Sequence, residues 1–357
     1  MQLVSHSKGK QPEVSMVKTL PLLPALETLR LPGLNRNLFS SSEWLLGIYK
    51  TYKIQLFVKY VERDGKVGSY IIYSVVKNFL EWKICLCSYC DYYDGYIENE
   101  NDWKQFLQAL RDEYPKYRIA VRNLRDPSIR NIAELSVLSL EKFHILDVRP
   151  DLKEVWKKTH DSFKAAVKQA AKTGLTIRRC EKTELPKFYE LHLRVRKDKY
   201  RIFPQPYRFF DVIWDQYMPK GNGILLGAYD AQGRFVAGNI YLVCGNTLYY
   251  KFNTSSQQAL KLRPNNLLFW EGIKYAKERN LEYIDLGSSG INQSGLILFK
   301  DHTGATSLNI THLGYAPKDY KFSQKRILKW MTTTFTMPWM PDFMVRLGSR
   351  IIYPFLA

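Results

Sequence analysis

"RPNNLLFWEGIKYAKERNLEYIDLG", residues 263–287, reads as a helix that runs into a short buried strand. Pro264 suits a first helical position, where its missing N–H costs nothing, and apolar residues recur at helical spacing as far as Arg279. The strand "YIDL" then breaks off on Asp285 and Gly287. A polar, glycine-containing stretch follows, and the chain returns to a cation at Lys300 in "FKDHTGA". A strand that ends on a carboxylate and is answered by a lysine calls for an explanation beyond packing.

The same order of elements occurs twice. In the first half "IQLFVKYV" and "VGSYIIYSV" flank Asp64-Gly65, a dipeptide that tolerates the positive φ angles of hairpin turns. A strand "KICLC", a helix over Asn101–Glu113 and a strand "YRIAV" come next. In the second half "GILLGAY" and "FVAGNIYLV" flank a turn at Asp230–Gly233, Gly245-Asn246 turns into "TLYYKF", and the helix and strand of the opening segment complete the pattern. Hairpins followed by a helix and a closing strand predict two α/β (α+β) units with mixed, largely antiparallel sheets and flanking helices. The boundaries expected are an extension over 1–38, a first unit over 39–148, a second over 149–317 and a basic, aromatic segment over 318–357.

The chain has 357 residues, 45% of them hydrophobic, enough for two cores at about 100 to 200 residues each. A net charge of +19 points to an anionic partner, because a basic surface attracts phosphates, nucleic acid or anionic lipid beyond contact distance. Five cysteines in a chain this large predict a reducing compartment. Cys85 and Cys87 share one face of a strand by the two-residue period, no histidine completes a zinc set, and no metal site is expected. "TLPLLPAL" is broken by Pro21 and Pro24, unlike the apolar run of a secretory signal, and "WMTTTFTMPWMP" is too short to span a bilayer. The expected location is cytoplasmic, either free or peripheral on the inner face of the cytoplasmic membrane.

Between the halves, "LKEVWKKTHDSFKAAVKQAAKTGL" places Leu152, Val155, Trp156, Phe163, Val167 and Ala170 at helical spacing, opposite Lys153, Lys157, Lys164, Lys168 and Lys172. One amphipathic helix ending at Gly174 is predicted. Its lysine ridge, continued by Arg178, Arg179, Arg194, Arg196 and Lys197, is either a solvated face or a surface for a polyanion.

"FKAAVKQAAKTGLTIRR", "ELHLRVRKDKY", the opening helix and strand, and "FKDHTGA" together resemble the FemAB-like branch of the GNAT-fold acyltransferases. That branch includes the peptidoglycan aminoacyltransferases and acetyltransferase-like proteins of exopolysaccharide and lipopolysaccharide synthesis. The resemblance implies two tandem GNAT-like units, the second holding the active cleft, with Asp285, Gly287, Phe299 and Lys300 matching the family's late strand end and the returning phenylalanine-lysine pair. Glycine there allows substrate close to backbone, and a lysine offsets a phosphate or a developing oxyanion. Mutual neutralisation of Asp285 and Lys300 is the plain alternative. "CDYYDGYI", residues 90–97, resembles the family's aspartate-tyrosine loop, so Asp91 and Tyr92 are candidate acceptor contacts through a carboxylate and a ring that stacks on sugar.

Asp285 and Lys300 are thus the candidate catalytic residues. Asp91, Tyr92, Arg196, Tyr250, Glu271, Gly287 and Ser288 are the candidate substrate contacts, with Asp285, Glu271 and Tyr250 as possible bases. Donor contacts are expected at Lys164, Lys168, Arg263, Asn265 and Asn266, since amides at a helix N-terminus suit phosphate, although "LKLRPNNLLFW" lacks the glycines of the usual acetyl-CoA loop. The resemblance implies an N-acyltransferase with acyl-CoA as donor substrate, no tightly bound cofactor, and an amine-bearing saccharide or lipid-linked glycan as acceptor. An aminoacyl-tRNA-dependent peptide-bridge ligase, with tRNA as partner, and a catalytically silent module for glycan or anionic lipid are the rival readings. The last segment sets Trp330 and Trp339 among Lys325, Arg326, Lys329, Arg346 and Arg350, a composition that suits an anionic membrane surface or packing on the body. Its prolines exclude a single long helix.

Overall fold

The computed structural model describes residues 16–78, 81–318, 320 and 325–356, the side chains of 325–329, 355 and 356 excepted. The first half supplies strands β1 (Val17–Pro21), β2 (Leu56–Arg63), β3 (Lys66–Lys77), β4 (Trp82–Leu86), β5 (Arg118–Asn123) and β6 (Ser136–Asp147). The second supplies β7 (Thr176–Arg179), β8 (Gly223–Tyr229), β9 (Phe235–Cys244), β10 (Thr247–Ser255), β11 (Tyr283–Gly290) and β12 (Thr306–Tyr315). All join one 12-stranded sheet in the order β1-β2-β3-β4-β5-β12-β6-β11-β10-β9-β8-β7. β4 pairs in parallel with β5, and β10 with β11; the other pairs among the described residues are antiparallel.

The halves trade strands. β6, at the end of the first, pairs with β11 of the second, while β12 returns to lie between β5 and β6. The sheet therefore continues through the centre without an exposed edge, which an unpaired row of N–H and C=O groups would otherwise present. β1 belongs to the stretch read as an extension and pairs with β2. The Asp64-Gly65 turn takes φ 50 and 71, the left-handed pair that hairpin twist favours.

Helices α1 (Leu22–Thr28), α2 (Ser42–Tyr52) and α3 (Glu100–Glu113) cover the first half. α2 starts where Ser41 accepts from the Trp44 N–H, and α3 where Asn99 accepts from Asn101, each satisfying a donor the helix cannot. Trp103, Phe106 and Leu110 of α3 are buried on the sheet.

The predicted helix over 152–174 is in fact two, α4 (Leu152–Lys158) and α5 (Asp161–Ala171). Thr159 is extended, and His160 caps α5 by accepting the Ser162 N–H at 3.2 Å. A cap in mid-pattern stops the first helix and starts the second. Next come α6 (Leu185–Arg194), a π-helical turn over Val195–Tyr200, and α7 (Tyr207–Tyr217). The opening helix is α8 (Pro264–Glu278), with Leu268, Phe269, Ile273 and Ala276 wholly buried. α9 (Ser294–His302) precedes β12, and α10 (Lys325–Phe335) and α11 (Asp342–Ile352) end the chain. Their break at Pro338 and Pro341 is the one the prolines dictate.

Candidate active site

β10 and β11 run in register for three pairs, Thr247↔Tyr283, Leu248↔Ile284 and Tyr249↔Asp285, and then part. Each strand bends for its own reason. β11 shifts register against β6 between Asp285 and Ser288, where Gly287 takes φ 68, and β10 is irregular against β9 between Tyr250 and Phe252. Such extra residues kink a strand and leave one residue out of the ladder; on β10 that residue is Lys251. Asp285 stands at the fork.

The Asp285 carboxylate is almost fully buried. Its Oδ1 accepts the Gly287 N–H at 2.7 Å, and its Oδ2 accepts the Tyr92 hydroxyl at 3.2 Å. Burial, with the neighbouring Asp91 charge, raises its pKa to about 7, since desolvation and a like charge both disfavour the anion. Lys300 is buried too, and its Nζ donates to the carbonyls of Gly287 and Ser288, both at 2.9 Å. Burial lowers its pKa to about 8. Lys251 Nζ pairs with Asp91 at 2.9 Å and lies over the Phe39 and Trp44 rings. A carboxyl group poised near neutrality can take a proton from an ammonium, and two carboxylates and two amines meet here within one water-poor fork.

The cluster opens at Asp91 and Lys251 into a cavity of about 720 Å³, which also reaches the parting of β4 from β5. Lys83, Arg118, Arg122, Arg196, Lys251 and His312 contribute cationic or titratable lining. Glu81 balances Lys83 and Arg118. The Glu141 carboxylate, held at about 2 chiefly by its hydrogen bond with His312 and also by Arg122, keeps its charge. Arg122 donates to the Cys90 carbonyl at 3.0 Å. Arg196 lies on the π-helical turn, and its buried Nε finds no hydrogen-bond partner among the described residues. Tyr52, Tyr89 and Tyr353 also line it.

Of the residues singled out in the sequence, Asp285, Gly287, Ser288, Lys300, Asp91 and Tyr92 come together, and Arg196 lines the adjoining cavity. Several expectations need correction. Lys300 is carried by α9, not by a loop, and it grips the strand's carbonyls. Tyr92 and Tyr93 are buried, so neither ring is open for a sugar to stack on; Tyr92 orients Asp285, and Tyr93 accepts the Ile72 N–H. Alternation along β10 turns Tyr250 away from the fork, against Phe269 of α8 and Tyr241, and Glu271 pairs with Lys274. Arg196 and Lys197 leave the surface ridge: Lys197 is buried against Asp342. Cys87 lies past the end of β4 with φ 54, so it does not share a strand face with Cys85.

On the donor side, Arg263 caps α8 with φ 58. The Asn266 N–H is already given to the Arg263 carbonyl, and the Asn265 side chain bridges Ser255 and Asn253. Gln169 donates to the Lys261 carbonyl at 3.3 Å, which ties α5, the bearer of Lys164 and Lys168, to this same end of α8. Lys164 itself bonds Asp161 and the Lys157 carbonyl. Sequence reasoning missed Lys251 and Tyr249. Lys251 did leave a trace, a lone cation inside the apolar "TLYYKF".

Residues 157–292 match the family model of the acetyltransferase (GNAT) domain. This segment is a GNAT acetyltransferase domain. No curated protein matches the chain. Among solved structures, FemX resembles it with a TM-score of 0.60 at 14% identity over 83% of this chain and 94% of that one. A tandem GNAT protein from the clavulanic acid biosynthesis pathway does so at 0.56 and 11%, over 84% and 98%. L-PGS from Bacillus licheniformis gives 0.50 and 13%, over 74% and 85%. Identities this low speak for the fold, which agrees with the FemAB-like branch, and the GNAT domain marks the chain as an acyltransferase. Asp285 and Gly287 fall inside the matched span and Lys300 beyond it.

Proposed function

We propose that the GNAT domain transfers an acyl group from acyl-CoA to an amine on a phosphate-bearing saccharide or lipid-linked glycan precursor of the cell envelope. Asp285 carries this reading: a buried carboxyl group with a pKa of about 7, at the fork of parted strands, beside a basic cavity. It accepts the proton of the acceptor ammonium, the freed amine attacks the acyl carbonyl directly, and the tetrahedral intermediate collapses by expelling the CoA thiolate, which takes the second proton from the new amide nitrogen. Holding the two substrates in line supplies much of the rate without a covalent enzyme intermediate. The Lys251 backbone, outside the ladder at the same fork, and the Lys300 ammonium supply positive charge where the oxyanion develops. Arg122, Arg196 and Lys251 suit a phosphate on the acceptor.

A second donor, aminoacyl-tRNA, is favoured by one observation. Gln169 ties α5, which carries Lys164 and Lys168, to the Lys261 carbonyl just before Arg263 and the start of α8, so the cations of these two helix ends together offer more charge than a single pyrophosphate needs. The two donors separate in one experiment. Thermal shift of the purified protein with acetyl-CoA, longer acyl-CoAs and charged tRNA should show stabilisation by a CoA ester. Stabilisation by charged tRNA alone transfers the reading to the ligase, and loss of neither activity nor ligand binding in Asp285→Asn removes Asp285 from the mechanism.

A further inference from the structure

The C-terminal helices are fastened to the body on one side and bare on the other. Val345 and Ser349 of α11 are fully buried, and Met340 before it and Tyr353 after it are largely so. Ser349 Oγ donates to the Pro204 carbonyl at 2.5 Å, Arg346 pairs with Glu190 and Asp342 with Lys197, and Arg201 donates to the Thr336 carbonyl. Gly348 sits so close to Phe203 that an added Cβ would lie 2.7 Å from its ring. The helix is therefore a rigid part of the fold.

Its outer side is apolar. Phe343, Leu347 and Ile351 succeed each other at four-residue spacing, which aligns them on one helical face, and are 68%, 56% and 56% exposed. Met344 adjoins them, Trp339 is 72% exposed in the turn before α11, and Trp330 is 67% exposed on α10. A fixed aromatic and aliphatic face of this kind marks a contact with a partner or a membrane.

We infer that this face seats the protein on an anionic lipid surface. Tryptophan beside aliphatic residues on an amphipathic helix suits the boundary between headgroups and acyl chains. The chain has the matching charge: Arg350 is exposed at the edge of the face, and in sequence residues 318–329 hold five cations, Lys318, Lys321, Lys325, Arg326 and Lys329, against one acid, Asp319. Basic residues near an anionic leaflet add attraction one by one. A second copy of a chain with net charge +19 would instead meet like charge. The position of the face also has a use. Tyr353, one residue past α11, stacks near Tyr52 and Tyr89 on the cavity wall, so the helix that meets lipid ends at the cavity. On the acceptor reading above, a lipid-linked glycan would enter the cavity with its chain still in the bilayer; docking itself does not depend on that reading.

Deleting the tail would uncover the Tyr52 and Tyr89 stack, so the test uses surface substitutions in the full chain. Wild type and a Trp339→Ser/Phe343→Ser/Leu347→Ser variant are sedimented with phosphatidylcholine vesicles and with vesicles carrying roughly a third phosphatidylglycerol. Wild type should bind the anionic vesicles, less so at high salt, and the variant about tenfold more weakly at an unchanged melting temperature. Arg350→Glu should weaken binding to anionic vesicles without affecting the neutral ones. Equal sedimentation of wild type and variant, or no binding of wild type at low salt, overturns the inference. So does a dimer in analytical ultracentrifugation that the triple variant dissolves, since the face would then join two copies. None of these outcomes touches the acyl-transfer assay.

Discussion

Two forks in the sheet invite comparison. β4 and β5 pair over Lys83↔Arg118, Ile84↔Ile119 and Cys85↔Ala120, just as β10 and β11 pair over three residues ending at Tyr249↔Asp285. In each half a helix crosses from one parallel strand to the next, α3 in the first and α8 in the second. The geometry is repeated but the contents differ. At the first fork the last pair is a thiol and a methyl group, and the lining beyond is cationic; at the second it is a phenol and a carboxylate held near neutrality. The first half also sends the loop that follows β4 across to the second fork, where Asp91 and Tyr92 bear on Asp285. Parting parallel strands only makes room. The side chains at the last pair set what stands in that room, a carboxylate held near neutrality at one fork and a thiol beside cationic lining at the other.

The largest effect that could break this contrast is at Asp285. Asp285→Asn should lower kcat/KM by about a hundredfold or more and at the same time stabilise the fold. The folded pKa of Asp285 lies above its ordinary value, so between about pH 4 and pH 7 the native state keeps a proton that the unfolded chain releases. Stability falls across that window as pH rises, and the asparagine, never charged, escapes the loss. Thermal melts of both proteins from pH 4 to 8 should diverge as pH increases; parallel curves would place no buried charge at the fork.

Lys300 provides the next test. With Asp285 near 7 and Lys300 near 8, activity should climb through about pH 7 and decline through about pH 8. Lys300→Met should turn over about tenfold more slowly and lose the alkaline limb. Its folded pKa lies below the ordinary lysine value, so wild-type stability should rise with pH from about 8 to about 10.4, a slope the methionine variant should lack. A variant with the wild-type pH profile would reduce Lys300 to a clamp on two carbonyls.

Gly287→Ala should act on the backbone. The position has φ 68, and a Cβ there would lie 2.8 Å from Asp91 Oδ2, so a loss of about 1 to 3 kcal/mol in denaturant unfolding is expected. The smallest effect belongs to the first fork: Cys85→Ser should change the acyl-transfer rate by less than about twofold, because no proton moves there. A large loss of rate at Cys85 would mean that both forks take part in the reaction.

Much of this was legible in the chain. The hairpin at Asp64-Gly65, α3, α8 and the strand that ends on Asp285 follow from turn chemistry and periodicity, which act among residues a few positions apart. Asp285, Gly287 and Lys300 stood out because a carboxylate, a glycine and a lysine interrupt apolar texture. The two-helix form of 152–171 escaped, since apolar spacing survives across a cap that only His160 and Ser162 reveal once folded. Tyr92 read as an open ring and is buried; Tyr250 read as a site residue and faces α8. In both cases the residue type was suggestive, and the packing of distant elements set its direction.

The sequence by itself determined the repeated order of hairpin, helix and strand, the carboxylate and glycine at the second fork, and the excess of positive charge, because each is a matter of local spacing or composition. Only the tertiary structure decided that β6 and β12 change places between the halves, that Asp91 meets Lys251 across 160 residues of chain, and that α11 buries Val345 while leaving Phe343 bare. Those outcomes depend on which surfaces are covered when the two halves close on each other. Burial also moves Asp285 and Lys300 toward neutrality, and desolvation is a property of the surroundings that no residue carries in its own name.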